Sequence, residues 1–212
     1  MAPTNPTILM ETPIVVVGIC GSLRRGSHTR QALTIALEGA QEVGAQTRLI
    51  DLRDYRLVFC GDDDEGDHFE GVLRLRHDVA RAQGIILGTP EYHGGFSGVL
   101  KNALDLMSPE EIRGKVLGLV GVSGGALGAT DALSGLRTVG RALHAWVLPQ
   151  QVSIPEAHKA FGEDGSLSDP RLEERLKDIG RRVTRFAYLH NSGEAKEFLG
   201  ASEEAAAPVA GA

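Results

Sequence analysis

Hydrophobic residues fall along the chain in two alternating rhythms. Residues 14–20, IVVVGIC, form an almost unbroken apolar run rich in β-branched side chains, the pattern of a strand covered on both faces. Residues 28–43 follow with Leu33, Ala36, Leu37 and Ala40 at helical spacing. AQTRLIDL (45–52) alternates as a second strand, and the irregular, acidic stretch 55–71 predicts a loop. A helix over 69–82 leads to a third strand, GIILGTP (84–90). Residues 95–107 place Val99, Leu100, Ala103, Leu104 and Met107 on one side of a helix. A fourth strand lies within 114–125, a helix over 127–143, a fifth strand over 145–154 with Trp146 packed on it, and a last helix over 169–190 with Pro170 in its first turn. Five strands alternating with helices predict an α/β fold, a doubly wound parallel sheet with helices on both faces.

Composition narrows the class. A chain of 212 residues suits one α/β domain, expected over 13–190, after a disordered lead-in (1–12) and before a flexible Gly/Ala/Ser/Glu tail (191–212). With 42% hydrophobic and 24% charged residues it is globular, and its net charge of −6 argues against a nucleic-acid or anionic-membrane surface. No apolar stretch has the length of a membrane span, and the first dozen residues lack a secretory pattern. The two cysteines, Cys20 and Cys60, form no CxxC pair, which points to a reducing, cytoplasmic setting; Cys20, ending a β-branched run, is expected to be buried packing.

In sheets of this kind ligands bind outside the carboxyl ends of the strands. The loops after strands one, three and four, GSLRRGS, TPEYHGGFSG and GVSGGALG, should therefore converge. The first resembles a phosphate loop. A dinucleotide fingerprint is broken at Leu23, and although Asp51 stands where a ribose-binding acid would, a solvated strand end or a capping residue fits it better. A nucleotide P-loop is broken where Ser27 follows Gly26 in place of lysine. A terminal phosphate monoester suits the hydroxyls of Ser22, Ser27 and Thr29, the guanidinium of Arg24 and the amides of a helix N-terminus; the alternative is that Ser27 caps a helix and the arginines are solvated.

In the second loop Pro90 stiffens the strand exit, Gly94 and Gly95 let backbone pass close to a flat ligand, and Tyr92 and His93 offer ring faces and polar edges. His93 has no companion ligand at metal spacing, so no metal site is expected, and a nucleophile elbow around Ser97 fails at Val99. The acidic run GDDDEGDHFE (61–70) does not follow the EF-hand pattern and predicts a solvated lid, and RRVTR (181–185) predicts a solvated helix face.

GICGSLRRGSHTR (18–30), with its Gly21, Ser22, Arg24 and Ser27, taken together with PEYHGGFSGVLKNALD (90–105), closely resembles the NADPH-dependent FMN reductase family, flavodoxin-like proteins that include quinone, azo-dye and chromate reductases. The resemblance implies a flavodoxin-like sheet of order 2-1-3-4-5. It implies FMN as cofactor and NADPH as co-substrate, with the phosphate on Ser22, Arg24 and Ser27 and the amides of Leu23 and Arg24; Thr29 stands where the family often has asparagine. Pro90, Glu91, Tyr92, His93 and Gly94 would hold the isoalloxazine, with Ser123, Gly124 and Gly125 along its other edge. Chemistry would reside on the flavin, with no catalytic protein acid or base and a small-molecule electron acceptor: a flavin, quinone, azo compound or metal ion. A homodimer or homotetramer is implied, through Phe96, Val99, Leu100 and Leu104, whose alternative role is packing on their own sheet. The competing class is a flavodoxin-type electron carrier without NADPH turnover of its own.

Overall fold

The structure, a computed structural model, describes residues 13–61, 69–195 and 197. The lead-in 1–12, residues 62–68 of the acidic loop and residues 196 and 198–212 of the tail lie outside the described residues. In chain order the elements are β1 (Val15–Cys20), α1 (His28–Gln41), β2 (Gln46–Asp51), a 3-10 turn (Leu52–Asp54), α2 (Glu70–Ala80), β3 (Gly84–Tyr92), β4 (Gly95–Phe96), α3 (Gly98–Asp105), α4 (Pro109–Ile112), β5 (Val116–Val122), α5 (Thr130–Ala142), β6 (Trp146–Ile154), α6 (Ala157–Ala160) and α7 (Pro170–Asn191). The five long strands run parallel in the order β2-β1-β3-β5-β6, the predicted 2-1-3-4-5 once the two-residue β4 is set aside.

Alternation along β1 explains its unbroken apolar run. Val16 and Cys20 face a core shared with α1 and α7, whereas Val17 and Ile19 face a second core built with α2, α3 and α5. Each face thus removes its side chains from water, at about 25 cal/mol per Å² of apolar surface. On the first face α1 and α7 touch backbone to backbone. A Cβ built at Gly180 would lie 1.8 Å from the Ala36 carbonyl oxygen, and one at Gly39 2.1 Å from that of Lys177.

Three expectations change. The helix foreseen from residue 95 starts only at Gly98, with Ser97 as its N-cap, because His93 (φ 51°) and Gly94 (φ 73°) form a two-residue turn that folds β4 back, antiparallel, onto β3. Trp146 does not pack on the fifth strand; it is 61% exposed and meets the His190 ring at 5.3 Å, because β6 is the sheet edge and this position faces outward. Leu100 and Leu104 are buried in the chain's own second core and so offer nothing to a partner subunit, leaving Phe96 and Val99 half-buried. Among the described residues no helix is long and apolar enough to cross a membrane.

Candidate functional site

The order β1-β3-β5-β6 sets the carboxyl ends of four neighbouring strands side by side, and hydrogen bonds tie their exits in pairs, β1 with β3 and β5 with β6. Gly21 N–H donates to the Gly88 carbonyl at 2.8 Å, and the Ser97 hydroxyl donates to the Gly21 carbonyl at 2.6 Å. Further along, Ser123 N–H donates to Ile154 O and Ala157 N–H returns to Ser123 O, each at 2.9 Å. Together they frame a cavity of about 290 Å³.

Of the predicted residues, Ser22, Arg24, Ser27, Thr29, Pro90, Glu91, Tyr92, Ser123 and Gly124 line this cavity. Leu23, His93, Gly94 and Gly125 do not. Leu23 points into solvent, His93 and Gly94 form the exposed tip of the β3–β4 turn, and Gly125 N–H is spent on the Ser123 hydroxyl at 3.1 Å. The lining also includes Gly26, His28, Val122, Ala157 and His158. The last two follow β6, a strand whose exit carries no glycine motif; its place beside β5 was the only signal for them.

The groups suited to an anion gather at the start of α1. Ser27 caps the helix by accepting from Arg30 N–H at 3.2 Å, and Ser22 Oγ accepts from Arg24 N–H at 3.4 Å. Ser22 thereby keeps its own proton to donate, while Ser27 Oγ also lies 4.0 Å from Cys20 Sγ. The first amides of a helix carry no intrahelical partner and the helix dipole adds partial positive charge there. The Arg24 guanidinium stands 5.6 Å from the centre of the Tyr92 ring, joining the first loop to the second. A Cβ at Gly26 or Gly124 would meet nothing within 4 Å, so the backbone there leaves room for a ligand to approach closely. A dianion at α1 with a flat ring laid between the Pro90–Tyr92 and Ser123–Gly124 segments suits this donor set, and FMN has that shape.

Side chains behind the lining hold it in place. Glu91 turns away to accept from Ala132 N–H at 3.0 Å, in the first turn of α5, so its backbone rather than its carboxylate serves the cavity wall. Thr89 Oγ1 donates to Pro90 O at 2.8 Å and accepts from Ser97 N–H at 3.0 Å, which fixes the strand exit. Cys20 is buried beneath the loop, as expected, and burial pushes its thiol up, so it stays protonated and inert. Asp51 does cap, accepting from Arg53 N–H at 3.1 Å, but it is not solvated: it is 6% exposed and paired with Arg30 at 2.6 Å. Burial works against its ionisation, yet hydrogen bonds from Arg53 and then Arg30 hold its carboxyl below the usual range.

Residues 14–159 match the NADPH-dependent FMN reductase family. The FMN-dependent NADPH-azoreductase of Staphylococcus aureus is 33% identical over 174 residues, covering 79% of this chain and 92% of its own. Among solved structures, the flavoenzyme NAD(P)H:(acceptor) oxidoreductase FerB from Paracoccus denitrificans superposes with a TM-score of 0.67 at 24% identity, over 84% of this chain and 99% of its own. Two-electron reduced Megasphaera elsdenii flavodoxin superposes with a TM-score of 0.53 at 16% identity, over 81% and 99%. These two likenesses show the flavodoxin-like fold.

Proposed function

The chain belongs to the NADPH-dependent FMN reductase family, and from that premise we propose that it passes reducing equivalents from NADPH, through FMN held in this cavity, to a small conjugated acceptor. The observation that carries the proposal is the meeting of the α1 anion loop with the turns after β3 and β5 on one cavity, all three within the matched residues. When bound, FMN supplies hydride and electron transfer; the protein supplies position, shape and charge.

Ser22, Ser27, Thr29 and the leading amides of α1 bind the phosphate, and Arg24 adds the positive charge. The Pro90–Tyr92 backbone, held by Thr89 and Glu91, forms one wall for the ring, and Ser123 and Gly124 form the other. Tyr92 stands at the mouth of the cavity, where an aromatic acceptor would stack. No protein side chain is assigned as acid or base; the residues of the cavity would hold and orient the cofactor, which would itself supply the redox chemistry. Among acceptors, an azo compound has the most support, because the 33%-identical relative is an azoreductase. The reducing setting suited to its two free cysteines is the cytoplasm. Pairing of subunits, as a homodimer or homotetramer, would use Phe96 and Val99 beside the cavity.

The test is a visible spectrum of the purified protein reconstituted with FMN, before and after anaerobic NADPH. Bound flavin that bleaches with NADPH, and recovers its colour on adding an azo dye, is the expected result. Bound flavin that stays oxidised would make the protein an electron carrier loaded by a partner. Failure to bind FMN would refute the site assignment.

A further inference from the structure

Arg30 lies outside the cavity lining, yet its side chain is bonded to two carbonyls of the loop before α1. From the first turn of α1 it folds back over the loop. Nη1 donates to the Arg25 carbonyl at 2.9 Å and Nη2 to the Arg24 carbonyl at 3.3 Å, while Nε donates to Asp51 Oδ2 at 2.6 Å. Asp51, the last residue of β2, is held in turn by Arg53, whose Nη2 donates to it at 2.9 Å. One guanidinium therefore clamps two successive loop carbonyls to the end of a sheet strand. Two guanidinium groups share the Asp51 carboxylate, and Asp54 is the further negative charge acting on Arg53.

The geometry has a directional consequence. The chain has no cis peptide among its described residues, and in a trans peptide the carbonyl and the following N–H point in opposite directions. Drawing the carbonyls of Arg24 and Arg25 onto Arg30 therefore turns the N–H groups of Arg25 and Gly26 away from it, and Gly26 lines the cavity. Successive amides turned the same way form an anion-binding concavity. We infer that Arg30, anchored by Asp51, is the positioning residue for the cofactor phosphate: without touching the phosphate, it sets the loop so that its amides can. The inference rests on the proposal that FMN binds here. A lysine would keep the charge but not the fork that spans two carbonyls and a carboxylate.

The experiment compares FMN with riboflavin, which lacks only the phosphate, by quenching of flavin fluorescence, alongside a thermal melt of each protein. Arg30→Lys is expected to weaken FMN by about tenfold, the worth of one charge-assisted hydrogen bond, and to leave riboflavin within about twofold. Asp51→Asn, which keeps an acceptor but removes its charge, should weaken FMN by about threefold in the same selective way. It carries the comparison alone should Arg30→Lys not fold. If the substitutions lower the melting temperature but leave the ratio of FMN to riboflavin affinity unchanged, Arg30 only holds the fold and the inference is wrong. Wild-type protein that binds riboflavin as tightly as FMN would refute the phosphate assignment, before any substitution is made, and the inference with it.

Discussion

Replacing Tyr55 by phenylalanine tests the polar network that roots the acidic loop. Tyr55 is 7% exposed, and its hydroxyl donates to Asp78 Oδ2 at 2.6 Å. The same carboxylate takes both Nη groups of Arg48, at 2.6 and 2.7 Å, and the Arg74 guanidinium lies 4.4 Å from the centre of the Tyr55 ring. Burial, then the bond to Asp78, push the phenol from 10.0 up to about 12. Two units correspond to about 2.7 kcal/mol between the neutral and the ionised phenol, the most that ionisation can take from the fold. A hydrogen bond to a charged group gives about 1.5–3 kcal/mol by a separate route. Tyr55→Phe leaves Asp78 still paired with Arg48, so about 2 kcal/mol is the expected loss at pH 8. A folded-state pKa raised above the unfolded one gives stability that is complete below about pH 10 and is lost as pH rises toward the folded value. Urea unfolding followed by circular dichroism should therefore show a gap between wild type and variant that shrinks by about 1.4 kcal/mol from pH 8 to pH 11. A gap that is small at pH 8, or unchanged at pH 11, would refute the assignment of this hydroxyl as a buried donor to Asp78.

Two other outcomes follow from the same structure. Burial opposes ionisation of Asp51 and Asp78, but hydrogen bonds from Arg53 and Arg30 to the first, and from Tyr55 with the Arg48 charge to the second, hold both carboxyls below the usual range. Their contribution is present above the unfolded value of about 3.9 and is lost as pH falls through the folded values. The urea midpoint should thus drop between pH 6 and pH 3, less steeply in Asp78→Asn; a flat profile would contradict this. Gly180→Ala forces a Cβ to within 1.8 Å of the Ala36 carbonyl and should cost about 3 kcal/mol by pushing α7 off α1. Gly193→Ala, where a Cβ meets nothing within 4 Å, serves as the control, and equal thermal stability of the two variants would show that the helices part freely.

The long elements were legible because their signals are local. The β-branched run of β1 and the helical spacing of Leu33, Leu37 and Ala40 each report burial by their own periodicity. The convergence of three loops was legible too, since the order of the sheet decides it. What escaped depends on backbone states or on distant pairs. His93 at φ 51° is a non-glycine residue in a left-handed turn, so nothing in the helical pattern of 95–107 marks the start of β4. Arg30 and Asp51 lie 21 residues apart, and only the parallel pairing of β1 with β2 brings the end of β2 beside the anion loop. Trp146 was misplaced because a hydrophobic side chain on an edge strand carries no mark of which way it faces.

The floor and the mouth of the cavity answer to different constraints. The floor is main chain tied to main chain across residues as far apart as Ser123 and Ile154, and changes there disturb the sheet itself. At the mouth, Tyr92 lines the cavity and is 41% exposed, a side chain that adds little to the folded core. Mutation can therefore sample such a position at small thermodynamic risk, while the main chain beneath it stays unchanged. A scaffold divided in this way is evolvable: the shape of the cavity mouth can be altered at Tyr92 without first acquiring stability to spare.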